Sequence, residues 1–128
     1  MIFLTKDLVV ELHETLLADF GGEEGFLNES ALDSALSAAQ NRAWYEGADV
    51  ACCGATYAFH LTKAHAFVDG DKRIGAAAAA AFLDANGCVL DATNDEFHAV
   101  VLAIAASRMT RDEVDAWFAA RVRESPAE

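Results

Sequence analysis

A chain of 128 residues with a single proline and 54% apolar side chains has the size and composition of one folded domain, which excludes a disordered or fibrous polypeptide. Its 21 carboxylates against nine lysines and arginines give a formal charge of -12, which argues against direct nucleic-acid binding, because phosphate backbones are bound by neutralising them. Three cysteines without C-x-x-C spacing make neither a disulfide framework nor a zinc site, and they suit a reducing compartment.

The first residues carry no basic segment ahead of an apolar one, so no signal peptide is read there. The longest apolar run, Ile74 to Leu83, is about half of a membrane span. A cytoplasmic protein without a membrane segment is the expectation. Thr5 caps a predicted helix to Phe20, with Leu8, Val9, Leu12, Leu16 and Phe20 along one stripe and Gly21 as the stop. The Gly21 to Gly25 stretch reads as a turn, too short and too acidic to cradle phosphate. Asn28 or Ser30 caps a second helix that is expected to end near Gln40 or Asn41, followed by a short aromatic connector from Arg42 to Ala48.

Asp49 caps a long apolar helix to about Ala64, the predicted central helix. The alanine-rich run from Ile74 to Leu83 forms a fourth helix, with Gly87 as its C-cap. Thr93-x-x-Glu96 and Thr110-x-x-Glu113 are capping boxes that start helices of about Asp95 to Ser107 and Arg111 to Arg123. The expectation is an all-α, six-helix single domain over residues 1–128, in which only Cys88 to Leu90 and the connector around Trp44 can add short extended pieces.

Chemistry concentrates between the third and fourth helices, in His65-Ala-Phe-Val-Asp69-Gly-Asp-Lys72-Arg73. Taken singly these residues are bland: His65 as a helix-end cap, Asp69 as a turn residue, Lys72 and Arg73 as solvated cations or members of an i,i+4 pair. Together they conflict with local preference, because the first turn of a helix favours anions and here receives two cations. A bound phosphate chain resolves the conflict. Backbone amides of the helix start, Lys72 as a point charge and Arg73 as a bidentate fork would hold it, Asp69 would carry Mg²⁺ with phosphate oxygens, and His65 would accept the proton of an attacking hydroxyl. Phe67 is expected to point into the core. His13, His60 and His98 lack metal spacing and read as structural.

The run His65-x-Phe67-x-Asp69-Gly70-x-Lys72-Arg73 resembles the Fic/Doc superfamily signature H-x-F-x-D-[AG]-N-K-R at every fixed position but one. The likeness extends from the first helix through the glycine-rich turn and the Asn28-x-x-x-Leu32-x-x-Ala35-Leu36 helix to the motif, and is closest in kind to the death-on-curing (Doc) toxins of bacterial toxin-antitoxin modules. Lys72 and Ala76 stand where the AMP-transferring Fic branch has glycine and a second arginine.

That resemblance implies a Fic-like helical fold and a protein kinase that moves the terminal phosphate of ATP, with Mg²⁺, to a hydroxyl of elongation factor Tu and so arrests translation. It implies catalytic roles for His65, Asp69, Lys72 and Arg73, phosphate contacts from Gly70, Asp71, Lys72 and Arg73, and metal binding by Asp69. It further implies a Phd-like antitoxin peptide as partner and a flap at Gln40 to Gly47 beside which the target docks. The exception is Asp71, where the family has asparagine. An amide donates and accepts, whereas a carboxylate only accepts and repels phosphate. The change either adds a metal ligand or weakens the nucleotide site, which makes an inactive antitoxin-binding module one alternative; the shared His65 and Phe67 make nucleotidyl (AMP or UMP) transfer by the same fold the other.

Overall fold

The computed structural model describes residues 1–126 and contains, among them, six helices and one two-stranded ribbon. Thr5 caps α1 (Lys6–Phe20) by accepting from the Leu8 amide, and Asn28, not Ser30, caps α2 (Glu29–Glu46) by accepting from Ala31. Asp49 opens α3 (Val50–Lys63), and both predicted capping boxes form, Thr93 with Glu96 on α5 (Asn94–Ala105) and Thr110 with Glu113 on α6 (Arg111–Arg121). Each cap satisfies amides that the helix itself leaves unpaired.

The predicted connector at Gln40 to Gly47 is helical as far as Glu46 and adds no extended piece. The second helix continues to Glu46 and stops at Gly47, which takes the left-handed conformation at φ 66° and donates its amide to the Arg42 carbonyl. The reason lies in Arg42, whose side chain is 10% exposed. Its guanidinium makes a two-pronged contact with Asp115 of α6, both bonds 2.9 Å, and donates to Thr56 of α3 at 3.0 Å. One more helical turn delivers that fork to its partners. Two smaller corrections occur near the C-terminus. The fifth helix ends at Ala105, with Ser107 turning the chain at φ 58°, and the sixth ends at Arg121 because Val122–Glu124 (β2) pairs antiparallel with Cys88–Leu90 (β1).

The predicted central helix, α3, packs against α2, α4 (Asp71–Ala85), α5 and α6. Cys53, Tyr57 and Leu61 from α3 meet Ile74 and Phe82 of α4 and Phe118 of α6 in one continuous buried cluster. Burial of a Leu or Phe side chain contributes roughly 1.5–3 kcal/mol, so this cluster supplies most of the drive to fold. The approach of α3 to α4 is close: a side chain on Gly75 would collide with Thr62. That contact sets the start of α4 relative to the end of α3, and with it the loop that joins them. At the other end of α4, Asn86 pairs with both backbone groups of Ile2, and Ser125 donates to Gly87.

Candidate active site

The loop from Ala64 to Gly70 is held by backbone geometry before any side chain acts. His65 takes φ 50°, a left-handed conformation that a histidine adopts more readily than a branched residue but still at some strain. Ala66 and Phe67 then run extended beside the segment after the glycine-rich turn. The Ala66 carbonyl accepts from Leu27 and Asn28, the Val68 amide donates to Gly25, and Phe67 forms a bridge with Phe26. As expected, Phe67 is buried. Gly70, at φ 87°, is the N-cap of α4, and no side chain caps that helix. Its first-turn amides are therefore available to an anion.

The middle of α1 and the turn that follows the helix grip this loop, which sequence reading missed. His13 is buried, stacks on Phe67 with ring centres 3.7 Å apart, and its Nε2 lies 2.7 Å from the Asp69 carbonyl oxygen. A carbonyl only accepts, so His13 carries its proton on Nε2 and donates. Predicted as structural, His13 is that, but it supports the candidate site. Asp69 accepts from the Glu23 amide through Oδ2 at 2.8 Å. The turn approaches so closely that a Cβ on Gly22 would come within 3.3 Å of the Asp69 Cβ. The available signal in the sequence was an imidazole one turn after Val9 on a buried stripe, because a buried polar ring needs a partner.

Asp69, Gly70, Asp71, Lys72 and Arg73 line one cleft of about 520 Å³, and His98 lies on its opposite wall. Phe97, Val101 and Leu102 of α5 give that wall its apolar part. This wall was beyond sequence reading, since only the packing of α5 on α4 creates it. His65 is exposed at the outer end of the loop and is not part of the cleft lining. Among the described residues, neither Lys72 nor Arg73 makes an ion pair, although Lys6, Arg42 and Arg123 do. The i,i+4 pair between Asp69 and Arg73, the bland alternative for these residues, is not made. His60, on α3, is remote from this arrangement: its Nε2 is buried without a hydrogen-bond partner, and burial, with Arg111 and Arg42 nearby, holds its pKa below the ordinary value.

Asp71 lines the cleft and also binds the loop behind it. Its Oδ1 accepts from the Phe67 amide at 3.3 Å, so the carboxylate reaches back across the loop. Burial pushes its pKa up, and the Phe67 amide, His65, His13 and the Ala66 amide only partly oppose this. The folded state thus holds a proton on Asp71 more firmly than the unfolded chain does. Stability contributed by the protonated form falls as pH rises through the unfolded value of ~3.9 and stays lower above the folded one. Asp71→Asn keeps an acceptor for Phe67 and removes the charge. Thermal unfolding of the two proteins should coincide near pH 3 and diverge towards pH 7, where the variant melts higher. A variant that melts lower at pH 7 would show that the carboxylate is the better clamp.

No cluster of three or more metal-ligating side chains occurs among the described residues. A hard cation here would rest on Asp69, whose Oδ2 is occupied by Glu23, and complete its shell with phosphate oxygens and water, as Mg²⁺ does in nucleotide sites. The cleft thus combines an uncapped helix start, two cations without carboxylate partners among the described residues and an apolar wall from α5. Residues 3–83, from the start of the chain to the last turn of α4, match the Fic/DOC family. The chain belongs to that family, whose members are generally transferases. No curated protein matches it. No helix among the described residues is long and apolar enough to cross a membrane.

Proposed function

We propose that this Fic/DOC protein is a phosphotransferase that moves the terminal phosphate of ATP to a protein hydroxyl. The observation that carries the reading is the pair of cations without carboxylate partners, Lys72 and Arg73, on the cleft at the uncapped start of α4. A cation at a helix start is disfavoured until an anion joins it, and two together favour a polyphosphate. His65 takes the proton of the target hydroxyl, whose oxygen attacks the terminal phosphorus. The bond from that phosphorus to the bridging oxygen breaks, and ADP leaves with the electron pair. Lys72 and Arg73 balance the charge that develops on the transferred group, and their contribution is electrostatic positioning. Asp69 would hold Mg²⁺, which would supply neutralising charge to the phosphate groups.

The target we assign is elongation factor Tu, and the biological role is that of a translation-arresting toxin restrained by a Phd-like antitoxin peptide; the motif's likeness to Doc toxins supports both. Lys72 in place of glycine and Ala76 in place of a second arginine favour terminal-phosphate transfer over nucleotidyl transfer. Incubation with ATP and elongation factor Tu, followed by intact-mass measurement of the factor, tests the assignment. A phosphate-sized increase is expected. A nucleotide-sized increase would replace the kinase with a nucleotidyl transferase, and an unmodified factor would remove the target.

A further inference from the structure

Phe20 is the last residue of α1, and its ring is 62% exposed. The guanidinium carbon of Arg73 lies 4.7 Å from the centre of that ring. Carboxylates are abundant in this chain, with 21 against nine lysines and arginines, and two of them, Asp69 and Asp71, sit in the same loop as Arg73. None of the described carboxylates pairs with it. The partner is an aromatic face instead.

The two kinds of partner differ in what they leave available. A carboxylate would orient the guanidinium but also neutralise it, and would occupy the two-pronged edge that an arriving phosphate needs. An aromatic face attracts the cation through its quadrupole without neutralising it, so the full charge remains and no carboxylate oxygen occupies the N–H groups. The local chain supports the placement. Gly21 and Gly22, at φ 80° and 127°, reverse the chain immediately after Phe20, and the turn then binds Asp69 through the Glu23 amide. Phe20 therefore sits on the same short segment that fixes the motif's carboxylate.

We infer that Phe20 is a positioning residue for Arg73, holding the guanidinium oriented and uncompensated at the cleft until a phosphate takes its free edge. This rests on the reading of the cleft as a phosphate site, and the test separates the two. Phe20→Leu keeps an apolar side chain without the ring, and Phe20→Trp keeps a stronger cation-attracting face. The Arg73 Nε–H resonance, identified by its loss in Arg73→Lys, should be shifted upfield by the ring in the unmodified protein and in Phe20→Trp, and should return downfield in Phe20→Leu. Calorimetric affinity for inorganic tripolyphosphate should fall about three- to tenfold in Phe20→Leu and recover in Phe20→Trp. In the transfer assay the leucine variant should lose mainly kcat, with a smaller change in KM for a protein target that does not touch Arg73. Because the ring is largely exposed, the melting temperature should hold. Tripolyphosphate bound equally by the unmodified protein and Phe20→Leu overturns the positioning role alone. No tripolyphosphate binding by the unmodified protein overturns the phosphate reading and the role together.

Discussion

Replacing His65 with asparagine is expected to lower the rate of phosphate transfer by about 10²- to 10⁴-fold, the usual contribution of a positioned general base. Asparagine is the informative choice because His65 sits at φ 50°, where asparagine is tolerated and alanine is strained. The side chain is exposed, so removing the imidazole leaves the core untouched, and the melting temperature should move by about a degree or less. His65 also lies outside the lining of the cleft, which contains the phosphate-binding residues proposed above. ATP affinity should therefore survive the change while kcat collapses, which is the pattern of a group used only in the transition state. Loss of ATP binding in step with activity would show that His65 holds the nucleotide, and an unchanged rate would remove it from the reaction.

Arg42→Ala is expected to destabilise the fold by about 3 kcal/mol, which for a domain of this size lowers the melting temperature by roughly 10–15 °C. The guanidinium and the Asp115 side chain are only 10% and 19% exposed, and the two-pronged contact between them joins α2 to α6, with Thr56 of α3 as third partner. The hydrogen bond to Asp115 pushes the guanidinium pKa above its ordinary value against the opposing effect of burial, so the guanidinium keeps its charge. Alanine would leave Asp115 without its counter-charge and Thr56 without its donor. Removing both charges at once should cost less than removing one, because the uncompensated carboxylate goes as well. A double variant, Arg42→Met with Asp115→Leu, should thus recover a large part of the lost stability. Chemical denaturation of Arg42→Met, Asp115→Leu and the double variant decides it: additive losses would mean that the two side chains do not act as a pair.

The caps show which parts of the fold were readable from local chemistry. Thr5, Asn28, Asp49 and the two capping boxes each use a side chain within three residues of the amide it satisfies, so sequence neighbours carried the whole signal. The motif was readable for a related reason: its anomaly, two cations at a helix start, is local. What decided the remaining features was distant. Arg42 reaches Asp115 across 73 positions and so lengthens α2 past its predicted end. His13 reaches Asp69 across 56, which is why it looked like an ordinary core histidine. Val122 leaves the last helix because Leu90 offers it a strand partner. The second wall of the cleft has no local signature, since Phe97 and His98 meet the motif only once α5 lies on α4. Asp71 is an intermediate case. Its chemical difference from asparagine was legible, but its bond to the Phe67 amide was not.

The bonds of Ile2 to Asn86 and of Ser125 to Gly87 place both ends of the described chain beside one another, at the pole of α4 opposite the motif. A helix of 15 residues spans about 22 Å, so that pole is remote from Lys72 and Arg73. Labels, surface tethers or fused reporters attached at either end would therefore leave the cleft open. Joining the two ends would give a circular permutant that could be reopened at an exposed turn such as Gly47, which makes none of the contacts that grip the reactive loop.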